Sequence, residues 1–206
     1  MGDFMPVVTL DSETNESAWD KLYKEYLNNR ILVLNAEIND DVIEDYVMYI
    51  LKWNREDLHI PVEKRKKITF LITSPGGNSF NGNIMSDVIL QSKTPVMGVA
   101  LDLVASAAYL VYLACDERIA FKTSVFLQHE GDLSMENSRS KFKQTVEFFD
   151  TMEERAKEYI LSRTTMSSEF YDSIYEQEYW MDVNKAKDLG VVHKIIGVDC
   201  DIDEIF

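Results

Sequence analysis

The chain has 206 residues, carries 36 Asp and Glu against 21 Lys and Arg for a formal charge of −15, and is 46% hydrophobic. That balance excludes DNA or RNA as the main partner, because neutralising phosphates takes clustered basic side chains, and the run Lys64-Arg65-Lys66-Lys67 reads as a solvated loop. Cys115 and Cys200 make no disulfide framework, so apolar packing must fill the core and a reducing, cytoplasmic setting is expected. Met1 to Pro6 has neither the basic nor the apolar region of a leader. The apolar stretch Pro95–Cys115 is broken by Asp102 and Ser106, so it reads as a buried strand and helix and no membrane partner is expected.

Ser17 and Asp20 have the spacing of a capping box, and Trp19, Leu22, Tyr23 and Tyr26 follow at helical intervals. Ile31–Leu34 is a strand. Asp40 or Asp41 is expected to cap a helix whose stripe is Val42, Ile43, Tyr46, Val47, Ile50 and Leu51. Lys52–Lys67 is expected to be an exposed loop. Ile68–Thr73 is the next strand, broken by Ser74-Pro75-Gly76-Gly77. A helix around Phe80–Gln91, a strand at Val96–Leu101 and a small-residue helix from about Ala105 to Ala114 come next. Two short strands, Arg118–Lys122 and Val125–Gln128, precede a long helix over Asn137–Arg163. Two shorter helices and a strand, Val191–Ile196, complete the predicted elements. Strands separated by helices imply βαβ units and a mainly parallel sheet. The acidic residues Asp199 to Glu204 lack the glycine and the twelfth-position Glu of a calcium loop and read as a solvated tail.

The chemistry-bearing candidates are few. Paired glycines after a strand let the backbone turn tightly and point N–H groups outward, as an oxyanion requires. Ser106 follows a buried strand and opens a helix, where the dipole and free N–H groups favour developing negative charge. Among the three histidines, His59 lies in the charged loop and His193 within an alternating strand. His129 ends a buried strand, which would hold its ring rigidly at a sheet edge, and imidazole is the side chain suited to general-base work near neutral pH. Neither phosphate-binding nor dinucleotide-binding glycine loops are present, so no nucleotide cofactor is expected.

Taken in order, Ser74-Pro-Gly-Gly77, Val104-Ala-Ser106 and Ser124-Val-Phe-Leu-Gln-His129 resemble the three signature blocks of ClpP, the proteolytic subunit of Clp ATP-dependent serine proteases. The resemblance covers roughly Trp19 to Gly197 and extends to Tyr26–Leu34 and Ala186–Val192. It implies an α/β fold, a ClpP/crotonase-like spiral of βαβ units with a long handle helix. Ser106 then matches the nucleophile, His129 the general base, and the Gly77 and Ala107 N–H groups the oxyanion hole. It further implies heptameric rings stacked as a tetradecamer around a closed chamber. An AAA+ unfoldase would consume the ATP and feed unfolded protein, and this chain would need no cofactor and no metal.

Four departures stand out against the family pattern. Glu178 falls where the family places the Asp of its triad, with Asp172 and Asp182 as alternatives. Asp102 replaces a glycine near the substrate strand, either lining the approach or pointing away. Gln177 replaces an Arg that in relatives pairs across the ring–ring interface, and Glu130-Gly131 replaces Gln-Pro after the histidine. The expected organisation is an N-terminal segment 1–17 in the position of an axial loop, a peptidase domain 18–197 and an acidic tail 198–206. The expected activity is that of a serine endopeptidase subunit. The competing readings are a catalytically silent ring subunit and, further off, a crotonase-fold acyl-CoA enzyme.

Overall fold

The computed structural model describes residues 17–131 and 138–206. Seven α-helices, α1 (Ala18–Asn28), α2 (Met48–Glu56), α3 (Ser79–Gln91), α4 (Ala107–Ala114), α5 (Arg139–Arg163), α6 (Ser168–Ile174) and α7 (Val183–Asp188), are interspersed with seven strands among the described residues. The strands are β1 (Ile31–Leu34), β2 (Ile68–Ser74), β3 (Val96–Ala105), β4 (Glu117–Ala120), β5 (Val125–Gln128), β6 (Tyr179–Asp182) and β7 (Lys194–Ile195). The expected N-terminal segment lies outside the described residues, apart from Ser17. There the capping box is made: Ser17 Oγ accepts from the Asp20 N–H at 3.0 Å and the Asp20 carboxylate accepts from the Ser17 N–H at 2.8 Å.

The sheet runs β1-β2-β3-β4-β7 in parallel. The decisive strand is β3, which extends to Ala105, well past the expected Leu101. Its first half pairs with β4 (Met97 with Glu117 through Ala100 with Ala120), and its last three residues pair with β5 (Leu103 with Val125 through Ala105 with Leu127). One strand thus feeds two neighbours in succession, and the sheet turns a corner at Leu101-Asp102. Each face of a sheet covered by helices must be apolar, which is why β2 reads as a nearly unbroken hydrophobic run. Phe70, Ile72, Val104 and Phe126 pack with α4 on one side, and Val99, Ile119 and Ile31 form a second cluster on the other.

Several expectations are corrected. The segment after Asp41 begins as a π-helical turn, Ile43–Val47, with no side-chain cap, and Asp41 contributes only its backbone carbonyl to the Glu44 and Asp45 N–H groups. Of the expected stripe, Ile43 and Leu51 are exposed, and Trp53 is buried instead. Lys52–Lys67 is not a loop throughout, since α2 continues to Glu56. Asp57 is buried beyond it, accepting from both terminal nitrogens of Arg30 (2.6 and 2.8 Å) and from Thr94 Oγ1 (2.8 Å). The small-residue helix starts at Ala107, not Ala105, because strand pairing to β5 holds the chain extended. The predicted start of the long helix at Asn137 falls outside the described residues. Tyr179–Asp182 was not anticipated as a strand; it pairs antiparallel with β5. The last strand shrinks to two residues, preceded by buried Val191 and Val192.

The acidic C-terminal segment is docked. Thr69 Oγ1 donates to the Ile205 carbonyl at 3.0 Å, Ile205 is buried, and Asp199 pairs with Lys187 while accepting from the Ile195 N–H. Among the described residues no helix is long and apolar enough to cross a membrane.

Candidate active site

The site is assembled where β3 ends. The Ser106 N–H donates to the Leu127 carbonyl at 3.0 Å, extending the β3–β5 ladder by one bond. The chain then turns into α4 with Ser106 at φ 54°, ψ −127°. A non-glycine residue held there costs on the order of 1–3 kcal/mol and persists only where its surroundings impose it. Those surroundings are tight. Gly76 packs so closely that a Cβ on it would lie 2.7 Å from both the Ala105 oxygen and Ser106 Cβ, and 2.9 Å from the Ala107 nitrogen.

Gly76 and Gly77 adopt φ of 93° and 140°, which is why the Pro-Gly-Gly turn needs both. The turn is clamped by Ser74 Oγ, which donates to the Ala36 carbonyl (2.6 Å) and accepts from the Gly76 N–H (3.1 Å). Ile38 brackets it further, its N–H donating to Gly76 and its carbonyl accepting from Asn78. Asn78 then caps α3 through its Oδ1 on the Phe80 and Asn81 N–H groups. The turn's own bonds are therefore made by the amides on either side of Gly77.

Strand β5 delivers His129. In the β3–β5 register the residue beside Leu127 is Ala105, so His129 stands level with the first turn of α4. Ser106, Ala107 and His129 line one cavity of about 860 Å³, walled by α3, α4, α5 and α6. Among the described residues its rim and walls carry Asp87, Glu130, Asp150 and Glu153 and the one cation Arg155. Among the described residues, three buried side-chain N and O atoms lack a hydrogen-bond partner: Tyr109 Oη, Gln128 Oε1 and His129 Nε2. All three belong to residues that line this cavity. Burial pushes the Tyr109 hydroxyl well above the ordinary phenol range, so it stays protonated, and the Tyr175 hydroxyl, also raised by burial, donates to Glu153.

The third carboxylate is not brought onto the imidazole. The β5–β6 register pairs Gln128 with Tyr179, and one further step sets His129 opposite Glu178. The Glu178 side chain is exposed, however, and its Oε2 accepts from Trp180 Nε1 at 3.4 Å. Asp172 instead pairs with Lys157 of α5, and Asp182 caps α7 by accepting from the Lys185 N–H at 2.8 Å. The sheet register thus favours Glu178 over both alternatives. Asp102 is exposed at the corner of β3 and does not line the cavity, and Gln177 donates to the Ser173 carbonyl at the end of α6. The sequence reading missed Tyr109 and Gln128. A polar side chain in a buried strand next to the histidine was the available signal for Gln128; nothing distinguished Tyr109 from an ordinary core tyrosine.

A parallel sheet that turns a corner into a short serine-headed helix, with a 25-residue helix standing over the cleft, defines the ClpP branch of the crotonase-like folds. A ClpP1 mutant from Listeria monocytogenes superposes with a TM-score of 0.75 at 25% identity, covering 90% of this chain and 99% of that one. The family model described as Clp protease matches residues 13–199, and the chain belongs to that family. Among curated relatives, ATP-dependent Clp protease proteolytic subunit 2 of Treponema pallidum is 28% identical over 93% of this chain and 92% of its own length. The protein of the same name from Treponema denticola is 26% identical over 94% and 98%.

Proposed function

We propose that the chain is a serine endopeptidase subunit that cleaves unfolded proteins or peptides through an acyl-enzyme. The observation that carries this reading is the placement of Ser106, strained at the N-terminus of α4, in one cavity with His129. Ser106 Oγ attacks the peptide carbonyl carbon while His129 takes its proton. The oxyanion is held by the Gly77 and Ala107 N–H groups, one from the glycine turn and one from the positive end of α4. His129 passes the proton to the departing amine as the C–N bond breaks. Water then attacks the ester, again giving its proton to His129, and Ser106 is restored. Glu178, opposite the histidine in the β5–β6 register, turns away from Trp180 to accept the Nδ1–H and fix the tautomer.

The relatives' names, ATP-dependent Clp protease proteolytic subunits, support a subunit that works beside an ATP-consuming partner, and the reading extends to stacked rings of seven in the cytoplasm fed by an AAA+ unfoldase. No cofactor or metal takes part in the steps written here. A silent ring subunit is the second reading. It is favoured by one observation, the unpartnered His129 Nε2 with the Glu178 carboxylate on Trp180.

Purified protein and Ser106→Ala, assayed on a fluorogenic peptide and with a fluorophosphonate label, with light scattering for assembly, separate the two. Hydrolysis and labelling in the parent alone support the peptidase. Rings that neither label nor cleave, even with an unfoldase supplied, favour the silent subunit.

A further inference from the structure

A parallel sheet needs cover on both faces. Helices cover the face that carries Phe70, Ile72 and Val104. The opposite face holds Ile31, Leu71, Met97, Val99 and Ile119, drawn from β1, β2, β3 and β4. Among the described residues, Tyr26 of α1 is the one α-helical side chain packed against this second cluster. Further cover comes from the far end of the chain, where Ile205 joins the cluster and Cys200 packs beside it. A short segment, residues 201–206, thus stands where a helix layer would.

The grip on that segment is narrow. Of its residues Ile205 alone is buried, at 4% exposure, whereas Ile202 and Phe206 remain exposed. Its backbone is a single 3-10 turn, Ile202–Ile205. Thr69 Oγ1, on a buried residue of β2, donates to the Ile205 carbonyl at 3.0 Å, and Lys67 Nζ donates to the Glu204 carbonyl. Lys194 Nζ lies 2.8 Å from both Glu117 and Glu204, in a partly exposed position where an ion pair contributes little. The face therefore offers one aliphatic slot, one hydroxyl for a carbonyl, and two ammonium groups for the residue beside it. Anchors this few allow the segment to open locally while the sheet stays folded. The family match ends at residue 199, so the segment lies outside the matched residues.

We propose that residues 201–206 are a displaceable strap, a self-bound linear ligand that closes an apolar groove on the sheet face away from α4. The occupant of the groove is this chain's own Ile205, with the Glu204 carboxylate beside it. A partner that engages this face through an aliphatic side chain has to displace the strap first, so the strap sets a threshold on docking there. Tethering gives it an effective concentration of about millimolar, against which a free copy of the same peptide competes poorly.

The test supplies the strap in trans. A dye-labelled, amidated hexapeptide of sequence Asp-Ile-Asp-Glu-Ile-Phe is titrated by anisotropy into the parent, Ile205→Ala and Ile205→Asp. Binding to Ile205→Asp is expected to be at least about tenfold tighter than to the parent, with Ile205→Ala between them. A peptide whose second Ile is replaced by Asp should bind none of the three. Thr69→Val added to Ile205→Asp should weaken the hexapeptide about threefold to tenfold through the lost hydroxyl. Thermal melts by circular dichroism should show cooperative unfolding in both Ile205 variants. If both lose it, residues 201–206 belong to the core and the strap reading fails. Equal binding by parent and variants, or no binding by folded variants, also overturns it. Binding to the parent that rises on dilution would mean that a second copy supplies Ile205, which overturns self-binding. The serine takes no part in this test, so its result is independent of whether Ser106 is a nucleophile.

Discussion

Arg118 and Arg163 donate to the same carbonyl oxygen, that of Leu113, at 3.1 and 2.8 Å, and both also reach the carbonyl of Cys115. Leu113 and Cys115 lie at the C-terminal end of α4, whose other end holds Ser106. Two guanidinium groups therefore neutralise the negative end of the helix dipole whose positive end lies at Ser106. Arg118 is buried and donates besides to Val191, Gly190 and Arg163 carbonyls, tying α4, α5 and the segment after α7 together without a carboxylate.

Replacing Arg118 by Met leaves those carbonyls without donors in a dry interior. The expected loss is about 2–4 kcal/mol, more than for any single exposed ion pair. Urea unfolding of the variant beside the parent checks this. A loss below about 1 kcal/mol would mean that solvent or a shift of α5 satisfies the carbonyls.

His193 gives a pH signature to the same region. Its Nδ1 accepts from the Arg118 backbone N–H at 3.2 Å, and the His193 backbone N–H donates to the Arg118 carbonyl at 2.8 Å. Burial first, then the Arg118 and Arg163 charges, hold the ring below its ordinary value of 6.5. A depressed pKa means the unfolded chain binds the proton more readily, so this contribution is complete above pH 6.5 and is lost as pH falls through the folded value. Thermal melts at pH 7.5 and 5.5 should show a steeper decline for the parent than for His193→Gln. Parallel declines would remove His193 from the account.

Gly76→Ala tests the packing behind the nucleophile. The added methyl meets Ser106 Cβ at 2.7 Å at a φ of 93°, where side chains are strained whatever the space. The backbone must give way, displacing Ser106 or the turn, at a cost of about 2 kcal/mol or more. Peptide hydrolysis and fluorophosphonate labelling should both fall at least about a hundredfold. Full labelling by a folded variant counts against a rigidly held serine.

For the third triad member the expected order is clear. Glu178→Ala should lower kcat by roughly a hundredfold to ten-thousandfold. Asp182→Ala should instead cost about 1 kcal/mol of stability through the lost cap on α7, and Asp172→Ala little of either. Should Asp172→Ala be the variant that loses turnover, the acid would have to be reassigned to α6.

The residues of the site were legible because their chemistry is local. A glycine pair after a strand, a serine opening a small-residue helix and a histidine ending a strand each announce themselves within six residues. Element ends were less legible. Whether Ala105 is strand or helix depends on Leu127 of β5, and whether Tyr179–Asp182 is a strand depends on Val125–Gln128, since pairing partners distant in sequence supply the hydrogen bonds. The tail was misread for the same reason: Ile205 is a lone apolar residue among acids until Thr69 and the sheet face are beside it.

Composition and pattern by themselves determined a parallel α/β chain with an apolar core, an acidic surface and an ordered serine and histidine. Only the tertiary structure decided that Glu178 falls opposite His129 in the β5–β6 register, that Arg118 is spent on carbonyls, and that Tyr109 and Gln128 are buried with a polar atom unpaired. Hydrophobic periodicity specifies which face of an element is buried, because each element must hide its own apolar stripe. Which polar atoms meet on that buried face is set by register and crossing geometry among elements as far as 73 residues apart, and no local pattern encodes it.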